Sequence, residues 1–372
     1  MGIRAVMLFL TSLCFGVIMM HKGVMFAEFF DFMKQAAALP GEPGYEAAVN
    51  GFFADQFRPL VDEVRTDALE NMIAKKGSKG PKIMISAHQD ECGMLVLDIE
   101  DDGSIRIFRN GGIDPRILPG SEVIVHTKRG ELYGVVGAKP PHLLSAEERS
   151  KAPQWEDLYV DIGYPAEAVK QMVRVGDLVT MKMETVKLMG DMVAGKTMDD
   201  RACVYSMLCT AGILNRMNTE AQVYFVASSQ EEIGAKGALT AAYDIHPDLA
   251  IAIDVTFGTD PGADQWDTTP MDKVAIAIGP NIHPMLGKKL IETAKKHRID
   301  HHIEVTNGPT GTDAAEIQIT HGGIPCVLVS VPLKYMHTSV ETIKTETVRE
   351  AGRLMAMFID EIAREWEDLK WY

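Results

Sequence analysis

The sequence has few cysteines, and none of them belongs to a recognisable redox, zinc or disulfide motif. Among 372 residues there are five cysteines, an odd number that cannot pair completely within the chain. They lie in apolar segments without C-x-x-C spacing, at Cys14, Cys92, Cys203, Cys209 and Cys326. This pattern excludes a disulfide scaffold and predicts reduced core residues in an intracellular protein.

Basic residues are scarce relative to acidic ones. The chain has 37 lysines and arginines against 52 aspartates and glutamates, which gives a formal net charge of −15. Such a charge repels nucleic acids and anionic lipid surfaces, and it attracts cationic groups such as the free amine of a peptide. We therefore expect no nucleic-acid partner.

The chain lacks an apolar run long enough to favour a membrane-spanning helix. Residues 5–20 are apolar and follow Arg4, as in the start of a secretory signal, but no convincing small-residue cleavage site follows. Met20 and Met25 are alternative starting residues. Residues 1–24 are therefore interpreted as either a leader or a mis-assigned start. We predict a cytoplasmic protein, with secretion if the leader is genuine and stable membrane association only if it is retained.

The length and the pattern of turns predict two domains. A chain of 372 residues exceeds what one hydrophobic core usually serves. Between residues 93 and 187, short apolar runs alternate with the turn sequences EDDGS, RNGG, TKRGE and RVGD, which is typical of antiparallel strands. We predict that residues 93–187 form a β domain inserted into a larger domain of residues 25–92 and 188–372.

The larger domain alternates between helical and strand patterns. Helices are predicted at residues 26–38, 46–64, 199–217, 283–298 and from 346 to about 368. Apolar strands are predicted at residues 81–90, 221–228, 249–256 and 324–331. This alternation is typical of an α/β sandwich with a largely parallel sheet.

Polar side chains that can bind metals lie at or just beyond the ends of these strands. In open α/β sheets, ligands bind beyond the carboxyl ends of the strands, so these positions are the candidates for a functional site. The candidates are His88 and Asp90, Glu231 and Glu232, Asp254, His337, and the pair Asp199 and Asp200 before a helix.

Each candidate has a simpler interpretation when it is taken singly. A carboxylate before a helix is usually an N-cap, a histidine after a strand is usually a surface residue, and adjacent glutamates usually form a solvated turn. Together, however, two histidines and several carboxylates would be a costly anionic cluster without cations. Imidazole and carboxylate ligands without thiolate suit zinc, cobalt or manganese, and a shared carboxylate would make a two-metal centre.

Six motifs in a fixed order resemble one enzyme family. They are AHQDECG, GKTMDDRA, SSQEEIGAKGA, IDVT, GTDAAEI and PLKYMHTSVE, with KPPHLL in the predicted insertion. This series resembles the M42 family of dinuclear metalloaminopeptidases from about residue 27 to the C-terminus. The resemblance implies a phosphorylase/hydrolase-like α/β/α sandwich with an inserted β-barrel-like dimerisation domain. It also implies homo-oligomers, commonly tetrahedral dodecamers.

The resemblance implies which residues would hold two divalent metal ions, zinc or cobalt with manganese as a further candidate. Asp199 would be the bridging ligand. His88 and Glu232 would complete the first metal site. Asp254 and His337 would complete the second.

The resemblance also implies how peptides would be hydrolysed. Glu231 would be the general base that takes a proton from a water shared by the metals, and Asp90 would orient His88. Asp199 and Asp200 would be joined by an unusual cis peptide bond. The substrate would be a peptide with a free N-terminus, from which only the first residue is removed.

Several positions depart from the family pattern without removing a proposed ligand. Gln89, Cys92, Phe257 and Thr338 stand where other residues are more usual. The resemblance therefore does not imply which N-terminal residue is preferred. Cys92 is interpreted as a small buried residue and not as a nucleophile, because no histidine base is identifiable for it.

Two other functions and three residue roles stay open. A two-metal hydrolase of another class, such as an acylase or a glycosidase, is one alternative, although only four tryptophans, none beside the motifs, argue against a cellulase. A catalytically silent scaffold subunit is the other, but every candidate ligand is intact. Asp313 and Thr312 are either helix-capping residues or residues beside the substrate, and His142 is interpreted as a turn or interface residue.

Overall fold

Two β-sheets organise residues 28–369, which are the residues that the computed structural model describes. The predicted leader or mis-assigned start at residues 1–24 lies outside them. The helices are α1 (Phe29–Ala36), α2 (Ala47–Phe57), α3 (Ala146–Arg149), α4 (Ala166–Met172), α5 (Met198–Leu214), α6 (Lys236–Ile245), α7 (Pro284–Lys296), α8 (Asp313–Gln318) and α9 (Thr345–Glu365).

The larger sheet has eleven strands. They are β1 (Glu63–Thr66), β2 (Met72–Lys76), β3 (Lys82–His88), β10 (Val186–Lys187), β11 (Met192–Gly195), β12 (Gln222–Ser228), β13 (Leu249–Phe257), β14 (Val274–Ile278), β15 (His301–Val305), β16 (Cys326–Lys334) and β17 (Glu341–Lys344). The order is β1-β2-β12-β3-β13-β16-β17-β11-β10, and β14 pairs with both β15 and β16. The four central strands, β12, β3, β13 and β16, run parallel, so their carboxyl ends lie at one edge.

Alternating apolar side chains along the central strands bury both faces of this sheet under helices. In β3, Ile83 and Ile85 pack in the core shared with α1, α2, α5, α7 and α9, whereas Met84 packs against α6 on the other face. Full burial of each such side chain stabilises the fold by roughly 1.5–3 kcal/mol, so a shift of one residue in register is strongly disfavoured. The predicted α/β/α sandwich is confirmed.

The smaller sheet is a closed barrel of six strands in the order β4-β5-β8-β7-β6-β9. The strands are β4 (Gly93–Ile99), β5 (Ile105–Asn110), β6 (Glu122–Thr127), β7 (Gly130–Ala138), β8 (Leu158–Asp161) and β9 (Leu178–Met181). Their inward-facing side chains form a separate apolar core. The barrel leaves the large sheet after β3, and Val186–Lys187 already pairs with the large sheet again. The predicted inserted β-barrel is confirmed, while the division into domains stays a prediction.

The predicted second helix is too long. It was expected over residues 46–64, but α2 ends at Phe57 and residues Glu63–Thr66 form the edge strand β1. Pro59 explains the early end, because proline lacks the N–H that a helix needs and restricts the residue before it. No helix among residues 28–369 has the length and apolar character needed to cross a membrane.

Candidate metal centre

The parallel strands bring the candidate residues together at one edge of the large sheet. His88 is the last residue of β3, and Asp254 lies near the end of β13. Glu231 and Glu232 follow β12 in a single turn of 3-10 helix, and His337 follows β16. Together with one carboxylate from the start of α5, they line a cavity of about 630 Å³.

The carboxylate from α5 is Asp199, which lies between the two histidines. Its Oδ1 is 3.0 Å from Nε2 of His88, and its Oδ2 is 3.3 Å from Nε2 of His337. Burial by itself would raise the pKa of Asp199, but hydrogen bonds from His337 and His88 outweigh burial and lower it below its usual value. A carboxylate that faces two imidazoles through separate oxygens can serve as a bridging ligand.

Backbone carbonyl groups orient both imidazole rings. Nδ1 of His88 is 3.1 Å from the carbonyl oxygen of Asp90, and Nδ1 of His337 is 3.1 Å from that of Gly112. Because a carbonyl oxygen only accepts, Nδ1 donates its proton and the neutral ring keeps its lone pair on Nε2.

The two Nε2 atoms then face oxygens of Asp199. Each pair consists of two hydrogen-bond acceptors, which repel each other unless a cation lies between them. A proton can fill this role, because the hydrogen bond with Asp199 raises the pKa of His337 to about 10. A metal ion can fill it equally well, and a histidine that binds metal usually donates its other ring N–H as these do. The donor set therefore fits metal ions.

Burial disfavours the charged form of the other carboxylates. Burial raises the pKa of Glu231 to about 10, with additional effects from nearby acidic groups. Burial, followed by the charge of Asp199, raises the pKa of Glu232. Burial, followed by the charge of Asp200, raises the pKa of Asp254 well above its usual value. Divalent cations would offset this cost, because they attract the charged form of each carboxylate.

Three groups of side chains have ligand atoms within 4.8 Å of one another in the described residues. The groups are His88 with Asp199 and Glu232, His88 with Asp200 and Asp254, and Cys92 with Glu232 and His337. The first group matches the ligands expected for one metal. The expected pairing of Asp254 with His337 is in none of them, and Nε2 of His337 is instead 3.7 Å from Oε1 of Glu232.

Asp90 contacts both glutamates as well as the histidine that it was expected to orient. Its carboxylate accepts the backbone N–H groups of Glu231 and Glu232 at 3.0 and 3.1 Å. Its Oδ1 also lies 3.5 Å from Nδ1 of His88. Asp90 is fully buried, so these contacts fix the turn after β12 relative to the end of β3.

Glu341 is a residue to which the sequence assigned no role. Its Oε1 accepts the N–H of His337 at 2.9 Å, and its Oε2 accepts the N–H of Asp199 at 3.1 Å. The side chain is buried and connects the segments that carry two candidate ligands. The motif MHTSVE contains Glu341, so this motif could have indicated a role for it in the sequence.

The backbone around the centre is held in unusual conformations. Asp199 and Asp200 are joined by a cis peptide bond, as the resemblance implied. Five non-glycine residues nearby have φ between 46° and 63°: Thr197, Gln230, Ala235, Tyr335 and His337. Each left-handed residue costs about 1–3 kcal/mol and persists only where surrounding contacts impose it. One such contact is the N–H of Gln230, which donates to Oε1 of Glu46 at 3.0 Å.

The barrel contributes to the centre through the RNGG turn. Besides orienting His337 with its carbonyl group, Gly112 donates its N–H to Sγ of Cys92 at 3.0 Å. A Cβ atom at Gly112 would lie 2.8 Å from Nδ1 of His337, so only glycine permits this approach. Burial, followed by the charge of Glu232, strongly raises the pKa of the Cys92 thiol. This shift opposes a nucleophilic role for Cys92.

Three residues of open role have clear surroundings. Thr312 is the N-cap of α8, because its side-chain oxygen accepts the N–H of Ala314. Asp313 is buried, and its Oδ2 accepts the hydroxyl groups of Ser86 and Ser228, each at 2.6 Å. Asp313 therefore braces the ends of β3 and β12. His142 is exposed in a short 3-10 turn of the barrel insertion.

The α/β/α sandwich and the imidazoles and carboxylates that converge at its strand ends define a class of metal-binding hydrolases. Within it, the chain belongs to the M42 glutamyl aminopeptidase family, whose model matches residues 70–354. The chain is therefore an aminopeptidase, a peptide hydrolase.

Relatives with this activity cover almost the whole chain. The lysyl aminopeptidase of Pyrococcus furiosus is 35% identical over 90% of this chain and 97% of its own length. The solved aminopeptidase of Desulfurococcus kamchatkensis is 34% identical with a TM-score of 0.84, covering 91% of this chain and 96% of its own. The TET1 peptidase of Pyrococcus horikoshii, which can assemble into a tetrahedron or a large octahedral shell, is 32% identical with a TM-score of 0.80, covering 90% and 100%.

Proposed function

We propose that the chain is a dinuclear metal-dependent aminopeptidase that removes the first residue of peptides. The observation that carries this proposal is the position of Asp199 between His88 and His337, with one oxygen toward each ring. Zinc, cobalt and manganese suit this donor set.

Two of the three groups of close ligand atoms favour a revised grouping of the ligands. We assign Asp199, His88 and Asp254 to one cation, because the two latter residues share a group of close ligand atoms. Asp199, Glu232 and His337 would hold the other, because the latter two share a group and lie 3.7 Å apart. This grouping assigns no metal to Glu231.

The surroundings of Glu231 support the proposed role of general base. Its Oε2 lies 3.9 Å from Nε2 of His88, and its backbone N–H is fixed by Asp90. When bound, the cations would lower the pKa of a water and of Glu231 and would polarise the peptide carbonyl group. Glu231 then takes the proton of the attacking water and later donates it to the departing amine.

We also propose a homo-oligomer, with a dodecamer as the candidate size and the barrel of residues 93–187 as the dimerisation domain. The barrel exposes large apolar side chains, with Leu97 58% and Tyr133 48% exposed. Such side chains are enriched at interfaces. The P. horikoshii peptidase can assemble into a tetrahedron or a large octahedral shell.

Restoring metal to stripped protein tests the proposed reaction. Aminoacyl anilides with a free amine and their N-acetylated forms are offered with zinc, cobalt or manganese, and metal content is measured in parallel. We expect metal-dependent cleavage of the free-amine substrates only, with two metals per chain. Cleavage that survives complete metal removal, or equal cleavage of the acetylated forms, contradicts the proposal.

Replacing Glu341 tests whether the hydrogen bonds that it accepts from the backbone of Asp199 and His337 contribute to metal binding. In Glu341→Gln, an amide group replaces an oxygen that accepts a backbone N–H, so either Asp199 or His337 loses its support. We expect metal affinity to fall about 10- to 100-fold, as for other groups that orient ligands. Calorimetric titration with zinc measures this, and Glu292→Gln, on the exposed side of α7, is the matched control. Unchanged metal affinity would mean that Glu341 does not contribute to metal binding.

A further inference from the structure

The cavity beside the proposed metal centre contains two acidic side chains that the proposed reaction does not use. Glu304 lies on β15 and Glu316 on α8, and both line the cavity that the candidate ligands line. Both residues are only partly exposed. In the described part of the chain, neither carboxylate takes part in a salt bridge of 4.0 Å or less. Both could therefore form an ion pair with a cationic group in the cavity.

Apart from these two glutamates, Glu231 and the candidate ligands, the cavity wall is apolar or uncharged. Among residues 28–369, no lysine or arginine lines it. Apolar side chains on the same wall include Val255, Phe257, Leu328 and Met336. An aliphatic stem that ends in a positive charge matches such a wall, because the stem can pack on apolar groups while its tip reaches a carboxylate.

One of the two carboxylates has a fixed orientation. The hydroxyl of Thr256 donates to Oε1 of Glu304 at 2.5 Å, and Thr256 lies only two residues beyond the candidate ligand Asp254 on β13. Because Thr256 is buried, this bond holds Glu304 against the strand that delivers the ligand. The other oxygen of Glu304 stays available for a substrate.

We propose that this cavity selects peptides whose first residue is lysine or arginine, through Glu304 and Glu316. The inference rests on the proposed function, because an enzyme that removes the first residue must place that residue beside the metal centre. The first side chain would then lie in the cavity that Glu304 and Glu316 line together with the candidate ligands. An ionic hydrogen bond in this partly desolvated cavity contributes more than one in water.

Matched substrates and variants test the selection. Lysine and norleucine anilides share a four-carbon side chain and differ in the terminal ammonium group. We expect the lysine substrate to be cleaved with at least about tenfold higher kcat/KM, mainly through a lower KM. Glu304→Gln and Glu316→Gln should each lower kcat/KM for lysine by about tenfold and leave norleucine unchanged.

The variants distinguish a local effect of the carboxylate charge from a folding defect and from long-range attraction by the acidic protein. Glutamine retains an oxygen that can accept the hydroxyl of Thr256, so Glu304→Gln keeps the contact that fixes the side chain. Glu292→Gln removes the same charge from the exposed side of α7 and should not change the preference. If it lowers lysine cleavage as strongly, general attraction by the acidic chain explains the preference and the proposal is overturned.

The remaining outcomes distinguish this inference from the proposed function. An equal loss for lysine and norleucine in Glu304→Gln and Glu316→Gln would mean that the carboxylates hold the α-amine or the fold, which overturns the selection. A wild-type enzyme that cleaves norleucine as well as lysine also overturns it, while the aminopeptidase activity stands. If no anilide is cleaved, the proposed function fails, and binding of L-lysinamide against L-norleucinamide to metal-loaded protein decides the selection without turnover.

Discussion

Glu231→Gln is expected to retain both metals and to lose turnover by about 10²- to 10⁴-fold, the usual contribution of a general base. Glutamine has nearly the same shape, but it cannot accept a proton from water at neutral pH. The backbone N–H of Glu231, which Asp90 accepts, is unaffected by the change. The loss should therefore appear in kcat, with KM and the fold preserved.

The measurement compares kcat, KM and metal content of Glu231→Gln with those of the wild type and of Glu292→Gln. Metal analysis is essential, because a variant that has simply lost its metals would also be inactive. A variant that stays fast with two metals bound would eliminate Glu231 as the base. Loss of a metal from the variant would instead indicate that Glu231 is a metal ligand.

Asp199→Asn is expected to abolish binding of at least one metal and to lower kcat/KM by more than about 100-fold, beyond the effect of removing a group that only orients a ligand. Each oxygen of Asp199 faces a different histidine, so one substitution affects both proposed metal sites. The amide nitrogen of asparagine can neither ligate a cation nor supply negative charge.

Metal stoichiometry by elemental analysis and titration with zinc measure this effect. The matched control is Asp272→Asn, which removes a carboxylate from an exposed position. Thermal unfolding of the stripped proteins establishes that the variant is folded. Two metals bound with near wild-type affinity in Asp199→Asn would mean that Asp199 does not bridge them.

The sequence predicted the longer elements of the large domain and missed some of the shorter ones. The strand at residues 81–90 is observed as Lys82–His88, and the final helix as Thr345–Glu365. In contrast, β14 reads VAIAI and was not predicted, because a short apolar run does not by itself distinguish a strand from a buried helical segment. Glu316 lies in the motif GTDAAEI and Glu304 on β15, but no motif shows that the two side chains line the same cavity.

The candidate ligands could be predicted because residues at strand ends have a known location in a parallel sheet. In a parallel sheet, residues at the carboxyl ends of neighbouring strands lie at one edge, so His88 and Asp254 could be placed together without coordinates. The same rule says nothing about which ligand faces which. The expected grouping of Asp254 with His337 shows this limit, because the closest carboxylate oxygens to His337 belong to Asp199 and Glu232.

The sequence by itself determined the fold class, the family and the chemical types gathered at the centre, since these follow from apolar periodicity and from residues close to strand ends. Only the tertiary structure decided how those residues are held. Glu341 lies 142 residues from Asp199 and Gly112 lies 225 residues from His337, yet each forms a hydrogen bond there. Such bonds depend on how separate elements pack in three dimensions, and no local pattern in the chain encodes them.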